Sequence, residues 1–148
     1  MGPMTNVTND RPYTDAISRL RAAGLRPTRQ RMALAKLLFD GDDRHVTAEM
    51  LRAEATEAKV SVSLATVYNT LHQFTDVGLL REIVVDSQRS YFDTNTGDHH
   101  HFYFEDTKHL EDIPGEFVSI SGLPSPPEDA TVTRIDVIVR MTKNDKNQ

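Results

Sequence analysis

The sequence predicts an α+β fold, in which a helical N-terminal half ends in a β-hairpin and a smaller β-rich part follows. Apolar residues recur at helical spacing, between capping and stop residues, over residues 14–78. Two strand-like segments, residues 80–85 and 89–93, come next and are joined by a short polar turn. Three more strand-like segments are predicted at residues 102–105, 117–120 and 132–141.

Four helices are predicted in the N-terminal half, and each begins at a hydroxyl side chain that can cap it. The predicted caps are Thr14, Thr28, Thr47 and Ser63. In the fourth helix the apolar residues form one stripe, consisting of Leu64, Val67, Leu71 and Phe74. Gly78 follows as the stop.

The other face of the fourth helix is polar but uncharged. It carries Thr66, Tyr68, Asn69, Thr70 and Gln73. Asn and Gln pair with adenine, and Thr or Tyr offers both a hydroxyl and apolar contact, so this face suits base edges. The alternative is an ordinary amphipathic helix with a polar exterior. Helices followed by a two-stranded wing describe a winged helix-turn-helix, which favours the first interpretation.

Composition limits the function classes. The 148 residues are 38% hydrophobic and include no Cys, so disulfides, thiolate zinc sites and thiol catalysis are excluded. No apolar segment approaches the roughly 20 residues that span a bilayer, and the N-terminus lacks a secretory pattern. We therefore expect a cytoplasmic protein without a membrane partner.

Charge is distributed unevenly along the chain. Residues 11–36 carry seven basic side chains against one acidic side chain, whereas residues 82–129 carry eleven carboxylates against two basic side chains. The basic part suits a polyanion such as nucleic acid. The acidic part suits cations, or is a solvated surface.

Three consecutive histidines, His99, His100 and His101, stand in the acidic part. Imidazole binds transition metals and haem iron. If the segment is a strand, side chains alternate between its faces, so that His99 and His101 point one way and His100 the other. The alternative is a solvated polar run.

The order of these segments resembles the ferric uptake regulator family of bacterial metal-responsive transcription factors. The residues that carry the resemblance are residues 25–31, the segment His45-Val46-Thr47-Ala48-Glu49, residues 63–71, Phe74 with Gly78-Leu79, and the His tract. The resemblance implies a winged-helix DNA-binding domain over residues 1–94. A small α/β dimerisation domain, which also senses metal or haem, is implied over residues 95–148. It further implies a homodimer on double-stranded promoter DNA that is AT-rich and palindromic or nearly so.

The resemblance also implies which residues act. Tyr68 lies in the recognition helix, and Arg31 with neighbouring basic residues would contact phosphate. The expected DNA-binding residues are Arg26, Thr28, Arg31, Ser63, Thr66, Tyr68, Asn69 and Gln73. The expected metal or haem ligands are His45, Asp93, His99, His100 and His101, of which Asp93 is one residue out of the family's register. This donor set suits Fe(II), Mn(II) or Zn(II), and ligation from both domains would fix the angle between them.

Two departures from the family pattern bear on which cofactor is expected. Many members carry Cys-x-x-Cys after the His tract, where this chain has Phe104 and Thr107, so no thiolate structural zinc is expected. A chain without Cys that has three consecutive histidines, with Asp112-Ile113-Pro114 nearby, resembles the iron response regulator branch. That branch reads iron through haem and controls genes for iron uptake, iron storage and haem synthesis. It would make haem a cofactor, bound by His, and a haem-supplying enzyme a partner.

Three alternatives stand beside an iron-responsive regulator that is not an enzyme. A peroxide- or metal-sensing regulator of the same family would use Fe or Mn at the same ligands. A metal-dependent enzyme would need an open coordination position and a general base, which His-x-His with a carboxylate could supply. It would leave the winged-helix segment unexplained. A metal or haem buffer without a DNA role conflicts with the basic N-terminal segment.

Overall fold

The computed structural model of the chain describes residues 12–144, which divide into two compact units, unit 1 up to Thr96 and unit 2 from Gly97. The α+β fold class is confirmed, with the α-helices in unit 1. The helices of unit 1 are α1 (Thr14–Ala22), α2 (Arg29–Phe39), α3 (Ala48–Glu57) and α4 (Leu64–Asp76). Its strands are β1 (His45–Val46), β2 (Arg81–Asp86) and β3 (Arg89–Asp93), in the antiparallel sheet order β1-β3-β2.

Three of the four predicted caps are confirmed. The side chains of Thr28, Thr47 and Ser63 accept hydrogen bonds from backbone N–H groups in the first turns of α2, α3 and α4. The prediction for α1 was wrong, because Tyr13 occupies the cap position, without a side-chain hydrogen bond, and Thr14 is already helical. After α4, Gly78 adopts a φ of +82°, a conformation that glycine reaches without steric cost.

The core of unit 1 joins the helices to the hairpin. Val67, Leu71 and Phe74 of α4 are fully buried against α2, α3 and β3. Burying each such side chain contributes about 1.5–3 kcal/mol. Thr70, predicted on the polar face of α4, is buried instead. The helices, β1 and the β2–β3 wing together form the predicted winged helix-turn-helix.

Unit 2 is a three-stranded sheet with the strand order β5-β4-β6. Its elements are β4 (His99–Phe104), β5 (His109–Pro114), a 3₁₀ turn (Gly115–Phe117) and β6 (Ile138–Met141). Strands β4 and β5 are antiparallel, and β6 runs parallel to β4. Among the described residues of unit 2, the 3₁₀ turn is the only helical segment.

Two strand predictions in unit 2 failed and one strand was missed. Residues 118–120 have no regular structure, and the strand expected over residues 132–141 begins only at Ile138, where the apolar alternation breaks. Strand β5 was not predicted, because its polar residues mask the strand pattern. No helix among residues 12–144 is both long and apolar enough to cross a membrane.

Candidate functional site

Strand β4 separates the three histidines as the alternation predicted. His99 and His101 are buried, at 5% and 3% exposure, whereas His100 lies on the other face and is half-buried. The backbone N–H of Val137 donates to Nδ1 of His100 at 3.1 Å. The structure therefore groups His99 with His101 and gives His100 different surroundings.

Asp112 of β5 brings a carboxylate to the two buried histidines. It is the register partner of His101, and its Oδ1 lies 3.3 Å from Nε2 of His101 and 3.4 Å from Nε2 of His99. Ligands around one tetrahedral ion, at bonds of about 2.0–2.1 Å, stand about 3.3 Å apart. Both nitrogen–oxygen distances thus match the spacing of ligands that share one ion.

A backbone contact fixes the orientation of His99. Its Nδ1 lies 2.7 Å from the carbonyl oxygen of Gly97. Because a carbonyl oxygen only accepts, Nδ1 carries a hydrogen, which leaves Nε2, on the side of Asp112, as the ring nitrogen that could bind an ion. Metal-binding histidines in proteins are held in the same way by a partner on the second nitrogen.

A second His–Asp pair lies within the sheet of unit 1. His45 and Asp93 are register partners across β1 and β3, and a ring nitrogen of His45 lies within 4.8 Å of a carboxylate oxygen of Asp93. Asp93 is 1% exposed and accepts from the backbone N–H of Asn95 at 2.9 Å. The neighbouring residues Arg44 and Thr94 exchange backbone and side-chain hydrogen bonds, which hold the two strands in register at this pair.

Asp112 was missed as a candidate ligand. The signal lay in the β4–β5 hairpin, because an antiparallel pairing that joins Phe104 to His109 also sets His101 opposite Asp112. Predicting β5 was therefore the missing step.

The outer face of α4 carries most of the predicted DNA-binding residues. Asn69 and Gln73 are exposed, Thr66 and Tyr68 are half-buried, and Ser63 caps the helix. The segment before α2 adds Arg26 and Thr28, both exposed. The structure thus assembles these residues on neighbouring elements of unit 1.

Several of the predicted DNA-binding side chains already have hydrogen-bond partners within unit 1. The hydroxyl of Tyr68 donates to Glu49 of α3 at 3.2 Å. Burial raises the pKa of the Tyr68 phenol, and the charge of Glu49 and this hydrogen bond raise it further. The guanidinium of Arg31 donates to Oε1 of Gln73 and to the backbone carbonyl of Arg26.

Comparison with known proteins yields one family and several related structures. The model of the Ferric uptake regulator family matches residues 22–119. The peroxide-responsive repressor PerR of Staphylococcus epidermidis is 34% identical over 96 residues, which are 65% of this chain and 63% of that protein. The Staphylococcus aureus repressor of the same name is 34% identical over 99 residues, 67% of this chain and 66% of that protein. The chain thus spans just under two thirds of each relative.

Solved structures agree with the fold. The ferric uptake regulator of Pseudomonas aeruginosa with manganese has a TM-score of 0.66 and 25% identity, covering 88% of this chain and 98% of that one. The ferric uptake regulator of Vibrio cholerae has a TM-score of 0.67 at 19% identity, covering 86% and 98%. The second likeness concerns the fold alone.

Proposed function

The chain belongs to the ferric uptake regulator family, and from this premise we propose that it is a metal-responsive transcriptional repressor. In this proposal unit 1 binds double-stranded promoter DNA in the cytoplasm, and unit 2 holds a divalent metal ion. The observation that carries the proposal is the convergence of His99, His101 and Asp112 in a chain whose other unit is a winged helix. Neither an enzyme nor a metal buffer accounts for both units.

The DNA-binding surface is proposed to be the outer face of α4 with the start of α2. Arg26 supplies positive charge for phosphate, and Thr66, Tyr68 and Asn69 face base edges. The uncharged helix face gives sequence choice, whereas the basic residues give affinity and salt dependence. A homodimer on a palindromic, AT-rich operator is part of the proposal, because symmetric dimers match palindromic sites.

The donor set determines which ions fit. Two imidazole nitrogens and a carboxylate oxygen suit Fe(II), Mn(II) and Zn(II), and the lack of Cys excludes thiolate zinc. The positive charge of a bound ion would balance the Asp112 carboxylate. His45 and Asp93 form a second candidate site within unit 1. Variants of each of the two sites can therefore show which of them holds the ion.

The effector is proposed to be iron or manganese, with peroxide response as a second candidate. Peroxide is favoured by the two relatives at 34% identity, which are named as peroxide-responsive repressors. Haem, and with it the iron response regulator branch and a haem-supplying enzyme, rests on the His tract, His45 and the lack of Cys. The burial of His99 and His101 favours a small ion over a porphyrin, which needs an open face beside its axial ligand.

Operator selection tests the proposal. The Mn²⁺-loaded full chain is used to enrich random double-stranded DNA, and the affinity for the enriched sequence is measured against competitor DNA at several salt concentrations. We expect an enriched motif and a steep decrease in affinity with salt. Failure to enrich any sequence would overturn the regulator proposal and favour an enzyme or a buffer.

Variants of single residues then locate the DNA face. Arg26→Ala should weaken binding to all sequences and reduce the salt slope by about 1, whereas Asn69→Ala should relax one position of the motif. Arg134→Ala in unit 2, whose guanidinium pairs with Asp136, controls for loss of charge alone. Equal effects of Arg26→Ala and Arg134→Ala would place the DNA elsewhere.

Repeating the affinity measurement with Fe²⁺, with Fe²⁺ plus hydrogen peroxide, and with haem separates the effectors. A decrease in DNA affinity on addition of peroxide supports the peroxide candidate. A decrease with haem that His99→Ala and His101→Ala abolish supports the haem branch. Insensitivity to all three additions would contradict each of these effector assignments.

A further inference from the structure

The guanidinium of Arg31 is held against two elements of unit 1. Its Nε and Nη2 donate to Oε1 of Gln73 at 3.3 and 3.2 Å, and its Nη1 donates to the carbonyl oxygen of Arg26 at 2.9 Å. These contacts connect the start of α2 to the third turn of α4. They engage three of the N–H donors of a planar, forked group whose geometry a lysine cannot reproduce.

The contact determines how the Gln73 amide is oriented. A guanidinium only donates, so the amide must present its oxygen to Arg31. An amide oxygen has two lone pairs, and the Nε and Nη2 contacts use both. The outward polar group of Gln73 is therefore its NH₂, which only donates.

Gln73 lies on the proposed DNA-binding face, so an outward group that only donates affects which DNA base it can recognise. Its side chain is exposed on the same face of α4 as Asn69, and both residues line an open hollow of about 300 Å³ with Thr66 and Arg31. A glutamine that recognises adenine uses its oxygen for the N6 amino group and its NH₂ for N7. With its oxygen engaged by Arg31, Gln73 cannot make that pair of hydrogen bonds.

We propose that Arg31 is a positioning residue that makes Gln73 select a base edge of acceptors, guanine or thymine, in place of adenine. Guanine presents N7 and O6, and thymine presents O4, whereas cytosine presents a donor. This inference rests on the proposed DNA-binding function and refines it. It changes the role expected for Arg31 from phosphate contact to control of base choice through its neighbour.

The two roles predict different results for substitutions of Arg31. A phosphate contact depends on charge, so Arg31→Lys would preserve it, and Arg31→Met would weaken binding to every sequence alike with a lower salt slope. A positioning role depends on the forked geometry, because two separate N–H groups occupy both lone pairs of Oε1, whereas a single lysine ammonium leaves one lone pair free to accept from the N6 amino group of adenine. Arg31→Lys would then change base preference while charge and salt slope stay the same.

The experiment measures binding of the Mn²⁺-loaded full chain and its variants to a library covering every single-base change in the selected operator. We expect Gln73→Ala to reduce the preference at one position by roughly tenfold. Arg31→Lys should relax that same position with an unchanged salt slope. Arg31→Met should shift it toward adenine, because the freed amide can then use both of its groups.

Arg29→Lys is the matched control, since Arg29 is an exposed cation two residues away on α2. It should leave the base profile unchanged, and thermal melting checks that every variant is folded. An unchanged base profile in Arg31→Lys, or an equal loss on all sequences in Arg31→Met, would overturn the inference. Failure of the unsubstituted chain to select any operator would instead overturn the DNA-binding function itself.

Discussion

Helix α4 and strand β4 both carry candidate functional residues, but they relate them to the core in opposite ways. On α4 the exposed Asn69 and Gln73 lie outside, while the buried Val67, Leu71 and Phe74 hold the helix in place. On β4 the candidate ligands His99 and His101 are themselves buried. Function and stability are therefore separable on α4 and coupled on β4.

The difference follows from the two periodicities. A helix of 3.6 residues per turn can divide a wide apolar stripe from a wide polar face. A strand has only two faces, so a buried polar pair takes positions that apolar side chains would otherwise fill. Substitutions on α4 should thus alter DNA recognition without unfolding, whereas those on β4 should affect metal binding and folding together.

The largest expected effect is on the free energy of unfolding. Two adjacent residues of α4 test whether function and stability can be separated on that helix. Phe74→Ala should lower the free energy of unfolding by about 3–5 kcal/mol, because it removes a fully buried ring that packs near Phe39. Gln73→Ala, on the exposed face, should change it by less than about 0.5 kcal/mol. Urea denaturation measures both, and equal losses would contradict the division of the helix.

The next effect tests the buried face of β4. His101→Ala should weaken Mn²⁺ binding by at least about 100-fold, since the loss of outer-shell partners alone typically costs 10- to 100-fold. His109→Ala is the control, because His109 is exposed on β5 beside Glu111. Isothermal titration calorimetry measures both affinities, and a His101→Ala variant that binds Mn²⁺ normally would exclude this site.

A smaller effect is expected at the carboxylate. Asp112→Asn keeps the size and an oxygen but removes the charge, so Mn²⁺ affinity should decrease by about 10- to 100-fold. Glu111→Gln, its neighbour on β5, removes one charge without touching the two buried histidines and should bind normally. Equal losses in both variants would indicate that general negative charge, not the converging ligands, attracts the ion.

The smallest effect concerns the contact between α3 and α4. Burial is the main cause of the raised pKa of Tyr68, so Glu49→Gln should lower that pKa but leave it above the ordinary value. Because the neutral phenol is favoured in the folded state, its stabilising contribution is present below about pH 10 and is lost as pH rises through the folded-state pKa. Ultraviolet titration measures the shift, and Tyr68→Phe identifies the transition.

An unchanged Tyr68 titration in Glu49→Gln would show that the carboxylate does not act on the phenol. The α3–α4 contact would then be a packing contact only.

Most of unit 1 was predictable because its signals are local. A hydroxyl before an apolar-periodic segment identified three helix starts, and alternating residues identified the wing. Tyr13 at the start of α1 has no side-chain cap, so the nearest hydroxyl, Thr14, misled the prediction. Thr70 was assigned to the polar face because it is a polar residue, although it lies three residues after Val67 and four before Phe74, on the buried face of the helix.

Unit 2 was less predictable because its arrangement depends on pairing between distant segments. The alternation of the His tract was local and was confirmed. The candidate ligand Asp112 could be found only from the hairpin register, and β6 only from its parallel pairing with β4, and a window of sequence contains neither. The Arg31–Gln73 contact spans 42 residues and was invisible for the same reason.

The most direct test of the central claim is the Mn²⁺ dependence of sequence-specific DNA affinity at fixed ionic strength. Fluorescence anisotropy on the selected operator, with chelator and then with Mn²⁺, gives the affinity ratio for the unsubstituted chain and for the double variant His99→Ala, His101→Ala. We predict a ratio of about tenfold or more for the unsubstituted chain and no Mn²⁺ response in the double variant. Equal DNA affinity with and without the ion in the unsubstituted chain would contradict the account.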